Sequence, residues 1–361
     1  TEKLFVKSAK VAQSILDENP AHPGALHYLI HTYDNPKQAH LAIAAADRYA
    51  IVAPDAAHAL HMPSHIYLSL GIWKDVVNSN IGSWNASVNG KRKQPGKELG
   101  YHSLNWLQYG LLQREENELA TRLLQDMIGY VTVDKSVIAR TYMVAMKGAH
   151  LSETDTWEGD LADLEIKIYD LHLTKRSGYN YLEGMKAFHK GDKKQLKSII
   201  ETIGKDKYRA SLNIGEEFVA MCNTAGNPLI PPNRLDLNIV SIIEYELEAC
   251  LLKLNGKKEA QLATLAKGVA LHESLKMNFG PPVIFKPVHE AYAEALIEDK
   301  QFGKALAVID KGLKSAPGKR QFLKLKQAIA KEVNNAKLLE KVNKELEEVL
   351  EQQERGEVLK Y

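Results

Sequence analysis

Residues 22–73 read HPGALHYLIHTYDNPKQAHLAIAAADRYAIVAPDAAHALHMPSHIYLSLGIW, and their self-similarity decides the fold. A shift of 34 residues lays His27 on His61, His31 on His65 and Tyr33 on Tyr67. A period of that length is one helix–turn–helix unit, which cannot bury its apolar faces without stacked neighbours. Asn35-Pro36 stops the first helix of one unit, Ala53-Pro54 closes its second, and Gly71 turns the next. Successive units therefore present the same two histidines from the same place on the same kind of helix.

Residues four apart on a helix point the same way, with Cβ atoms ~6 Å apart. Two adjacent first helices then offer a two-by-two grid of His27 and His31 beside His61 and His65. Imidazole is the commonest protein ligand for transition metals, and a pair at i and i+4 chelates one ion. Zinc heads the expected ions, with copper or iron next. The plainer reading is a polar groove of hydrogen-bonded histidines, and both readings stand at this level. A third unit aligned on Leu104, Leu107 and Ala120 puts His102 on His58, Asn105 on His61 and Tyr109 on His65, so the grid continues as polar residues.

Outward from this stretch the chain reads as helix after helix. Residues 2–18 form an amphipathic helix, the second of a unit whose first is missing. Pro63 lies inside the helix carrying His61 and His65, where it removes one backbone hydrogen bond and kinks the helix beside them. Lys91-Arg92-Lys93 marks a solvated loop, and the Pro/Gly-rich stretch 223–233 a non-helical connection. Pairs resume at 237–274, a proline-stiffened segment spans 279–287, and the best-matched repeat runs from His289 to Pro317. From Lys319 an apolar stripe recurs every three or four residues, which predicts one long charged helix ending near Tyr361 and capping the array. The expected organisation is N-terminal repeats over 1–130, degenerate pairs over 131–233, C-terminal repeats over 234–318 and the long helix over 319–361. The expected fold class is all-α, a right-handed solenoid of antiparallel helix pairs.

Composition excludes several function classes. The 361 residues carry a net charge of +2, too little to draw the chain to nucleic acid. No run of 18 apolar residues is present for a transmembrane helix, and the two cysteines, Cys222 and Cys250, make no disulfide framework. Nucleophile-elbow, phosphate-loop, dinucleotide-binding and C-x-x-C motifs are absent, and His272-Glu273 and His289-Glu290 lack the second histidine of H-E-x-x-H. The opening TEKLFVKSAK has neither an initiator methionine nor a signal peptide, so a fragment or a processed form is expected.

The 34-residue period, the turn glycines Gly71, Gly191 and Gly256, and the closing prolines Pro54 and Pro317 resemble those of tetratricopeptide-repeat proteins. The resemblance covers most of the chain. In that family the second, fifth and ninth positions of each first helix line the concave groove. It thus implies a groove lined by Gly24, His27 and His31, then His58, His61 and His65, then His102, Asn105 and Tyr109, and in the last repeat Pro287, Glu290 and Glu294. HPGALHYLIH, HALHMPSHIY and GPPVIFKPVHE are similar to motifs of a bacterial subgroup without an assigned reaction, many of whose members carry an export signal. That likeness implies a cytoplasmic or, for a processed chain, a periplasmic protein. The expected function is a binding scaffold for a peptide, protein or small ligand, with a histidine-rich site of His27, His31, His61 and His65. The alternative is a metal-binding protein or metal-dependent enzyme, with His58 or His102 supporting and Glu290 or Tyr109 assisting.

Overall fold

The computed structural model describes residues 2–89, 100–214, 230–275 and 280–350, with side chains from residue 6 onward. Among these residues there are helices and no strand, as the repeat period requires. In chain order they begin with Glu2–Glu18 (α1), Pro23–Tyr33 (α2), Ile43–Val52 (α3), Ala57–His61 (α4), Pro63–Leu70 (α5), Trp73–Asn89 (α6) and Tyr101–Gln113 (α7). Asn117–Val133 (α8), Val137–Thr154 (α9), Asp160–Asp163 (α10), Leu173–His189 (α11) and Lys193–Ser211 (α12) follow. The last are Arg234–Leu254 (α13), Lys258–Ser274 (α14), Val288–Glu298 (α15), Phe302–Ser315 (α16), Arg320–Glu332 (α17) and Ala336–Leu350 (α18). None of the described helices is long and apolar enough to cross a membrane. The Lys91-Arg92-Lys93 run, Cys222 and the chain beyond Leu350 lie outside the described residues.

The chain forms two compact units. The described residues of the first fall within 1–120, 279–281 and 313–361, and those of the second within 121–278 and 282–312. In the first unit each helix packs on its neighbours in sequence, from α1 on α2 through α6 on α7. The helix α2 starts cleanly because Pro23 occupies its first turn and the His22 imidazole accepts the Ala25 N–H. Its Ala25, Leu26, Leu29 and Ile30 form the buried stripe, which leaves His27 and His31 on another face. Pro63 divides the helix that carries His61 and His65 into α4 and α5. The two meet at Met62, held in the right-handed helical region although a residue before proline disfavours it.

The long C-terminal helix expected from Lys319 onward is corrected to a helical hairpin, α17 and α18, packed against each other. Asn334 sits at φ 51° and the Asn335 N–H bonds the Ala330 carbonyl at 2.9 Å, a left-handed helix end. Asparagine tolerates that conformation, so the apolar stripe folds back on itself instead of running on. The hairpin also completes the first unit. The Trp73 indole N–H donates to the Gly318 carbonyl (2.9 Å), and the Arg320 guanidinium pairs with Glu115 (2.9 Å).

The second unit is built from further helix hairpins. α11 and α12 turn at Gly191, and α13 and α14 at Gly256, both glycines at positive φ. The proline-stiffened segment is more than a connection, because Ile284 and Phe285 are buried in this unit's core. Gly148 lies where any Cβ would meet the Phe285 ring at 2.4 Å, so the glycine is what admits the ring.

Candidate metal centre

Six histidines of the first unit gather through side-chain contacts. The centre of the arrangement is His61, on α4, buried and held from two sides. The Asn80 amide on α6 donates its N–H to the Val76 carbonyl (2.7 Å), which turns its Oδ1 towards His61 Nδ1, 2.7 Å away. An acceptor at that point requires the proton on Nδ1 and leaves His61 Nε2 as a bare lone pair. His65, one turn along on α5, is oriented in the same sense by Asp34, whose Oδ2 lies 2.8 Å from His65 Nδ1. The Ser69 hydroxyl donates to the other carboxylate oxygen (3.3 Å).

The two lone pairs converge. His61 Nε2 lies 3.1 Å from His65 Nε2 and 2.9 Å from His102 Nε2, the latter reaching in from the first turn of α7. One ligand nitrogen from each of the three lies within 4.8 Å of the others, and this group could hold a metal ion. The edge of a tetrahedron with metal–nitrogen bonds of 2.0–2.1 Å is ~3.3 Å, close to the two short contacts. Trp106, one turn along α7 from His102, covers one side, its ring 4.9 Å from that of His61 and 4.6 Å from that of His65.

Electrostatics favour the neutral form of His61 and His102. Burial, then the neighbouring His102 and His65, pushes His61 well below the ordinary imidazole value. His102 falls to about 3, through burial first and then His65 and His58. A neutral imidazole is the form that ligates.

A second group adjoins the first. His27 Nε2 lies 3.1 Å from His31 Nε2 and 3.0 Å from His58 Nε2. The His31 and His65 rings are 6.1 Å apart between centroids. Burial, then His31, His58 and His65, lowers His27 to about 4, and burial followed by His31 and His65 lowers His58.

The remaining expected site residues fall in different places. Asn105 is buried on α7, its Oδ1 without a hydrogen-bond partner among the described residues. Tyr109 packs edge-on to Trp73 (5.7 Å), beneath the Lys319 ammonium. Glu290 and Glu294 belong to the second unit, where Lys286 pairs with Glu294 (2.6 Å) and lies 4.0 Å from Glu290. Sequence reasoning missed Asp34, Asn80 and Trp106. Asn80 carried one usable signal, an amide at a core position of an apolar helix face. Asp34 reads from sequence only as the end of α2.

No family model matches the chain, and no curated protein is recognisably similar to it.

Proposed function

We propose that this is a metal-binding protein, with His61, His65 and His102 holding one transition-metal ion on a tetratricopeptide-type scaffold of stacked helix pairs. One observation carries the reading. Two imidazoles whose Nδ1 atoms are committed to Asn80 and Asp34 aim their Nε2 lone pairs at one point, where His102 Nε2 joins them. Lone pairs at that separation repel unless an electrophile lies among them, and one bridging proton serves two nitrogens, not three. An Nδ1–H held by an amide or carboxylate oxygen is the usual support of a ligating histidine.

The ligand set favours zinc. Three neutral nitrogen donors with no carboxylate among them suit borderline ions such as Zn²⁺ or Cu²⁺, and suit Mg²⁺ or Ca²⁺ poorly. Three protein ligands leave a fourth position of a zinc ion for water or a ligand atom, and zinc there supplies Lewis acidity and an acidified water. The metal-dependent-enzyme reading follows from that position. The expected groove for a peptide or small ligand rests on the repeat resemblance, and the ion would be its fixed point.

Metal analysis and calorimetric titration of the purified chain test the proposal. The expected result is near-stoichiometric zinc with Kd below ~1 µM, and His61→Ala or His102→Ala weakens it at least ~100-fold with helical circular dichroism unchanged. Binding no tighter than ~0.1 mM, or undisturbed by either substitution, rejects it.

A further inference from the structure

The two histidine groups repeat the same pair of nitrogen contacts, although among the described residues only the inner group has all three ligand nitrogens within 4.8 Å of one another. Within each group the first two residues are i and i+4 of one repeat's first helix, and the third comes from the start of the next. Thus His27, His31 and His58 correspond to His61, His65 and His102. The helix pair is separated by 3.1 Å between Nε2 atoms in both cases. The cross-repeat contact is 3.0 Å for His58 to His27 and 2.9 Å for His102 to His61. The rings repeat the geometry as well. They are near edge-on within each helix pair, at 75° and 81°, and across repeats at 76° and 69°.

We propose that His27, His31 and His58 hold a second transition-metal ion, beside the first and in the same chemistry. The proposal rests on the reading of His61, His65 and His102 as a metal centre and extends it from one ion to two. His27 Nε2 faces two other ring nitrogens at hydrogen-bond distance, and a single Nε2–H can be donated to only one of them. A cation among the three resolves the conflict, as it does at His61. All six ligands are imidazoles, so the second ion is again a borderline one such as Zn²⁺ or Cu²⁺.

The copies differ where affinity is set. Asn80 and Asp34 orient the inner pair through its Nδ1 atoms. His61 and His65 are buried, while His27 and His31 are half-buried and His58 is exposed. The second ion is therefore the weaker and the more exchangeable. The inner site holds its ion, and the outer one loads and unloads.

The experiment is a zinc titration of the full metal-free chain by calorimetry, with metal content measured after gel filtration. The expected result is two equivalents of unequal affinity. His58→Gln, a conservative change at an exposed position, should weaken the second equivalent at least ~100-fold and leave the first within ~3-fold. His102→Ala should lose the tight equivalent. A wild-type stoichiometry of one, or two equivalents that survive both His58→Gln and His27→Ala, overturns the second ion and leaves the first standing. No zinc binding at all overturns both. Cobalt substitution supplies an independent readout. Two sets of visible bands, one abolished by His58→Gln, support two nitrogen-ligated ions, and a single set unaffected by that change refutes the outer one.

Discussion

His61 shows how much the orientation of one side chain depends on residues on other helices. Its tautomer follows from the Asn80 amide, and the Asn80 orientation follows from the Val76 carbonyl. Asn80→Ala should therefore weaken zinc binding ~10–100-fold by freeing the ring, with helicity retained, and calorimetry checks it. A second expectation concerns pH and the metal-free protein. His102 at about 3 and His27 at about 4 lie below the 6.5 of an unfolded histidine, so between those values the unfolded chain binds more protons. Stability is then full above pH ~6.5 and is lost as pH falls towards 4. Melting temperatures of the metal-free protein should drop from pH 7 to pH 5, and His102→Gln should flatten the slope. A metal-free protein equally stable at both values would contradict the buried neutral cluster.

Helices α4 and α5 carry His61 and His65 on either side of a proline, and Gly71 ends α5. Gly71 adopts φ 74°, and a Cβ there would lie 2.6 Å from the Pro317 carbonyl oxygen. The left-handed backbone alone costs an ordinary residue ~1–2 kcal/mol, and the backbone clash adds to it. Gly71→Ala should destabilise the protein by about 2 kcal/mol or more in urea unfolding. It should also loosen the join between α5 and the C-terminal hairpin, where Trp73 bonds the Gly318 carbonyl. A change under ~0.5 kcal/mol would mean that this close approach is dispensable.

Over the whole molecule, the six histidines and their supports belong to one of two compact units. Damage inside the other should leave metal binding alone. Gly148→Ala drives a methyl into the Phe285 ring, an overpacking that costs typically ~1–3 kcal/mol. The variant should melt earlier yet bind zinc with wild-type stoichiometry at 20 °C. Loss of the tight equivalent would show that the centre relies on both units.

The sequence by itself determined the all-helical class, because a 34-residue period with proline and glycine punctuation admits helix pairs and little else. It also picked out His27, His31, His58, His61, His65 and His102, since identical repeat positions stand out without coordinates. Their grouping was not legible. A linear period places His27 beside His31 and His61 beside His65, but only packing brings His58 onto His27 and His102 onto His61. Those contacts span 31 and 41 residues and depend on how far α4 and α7 are offset along their neighbours. Tertiary structure alone supplied Asp34 and Asn80, residues whose types are common and whose roles arise from which ring nitrogen they meet. It also decided the C-terminal hairpin. One asparagine in a left-handed conformation outweighs an apolar stripe that continues past it, because folding back buries Val342, Leu346 and Val349 against helix and a straight helix would leave them in water.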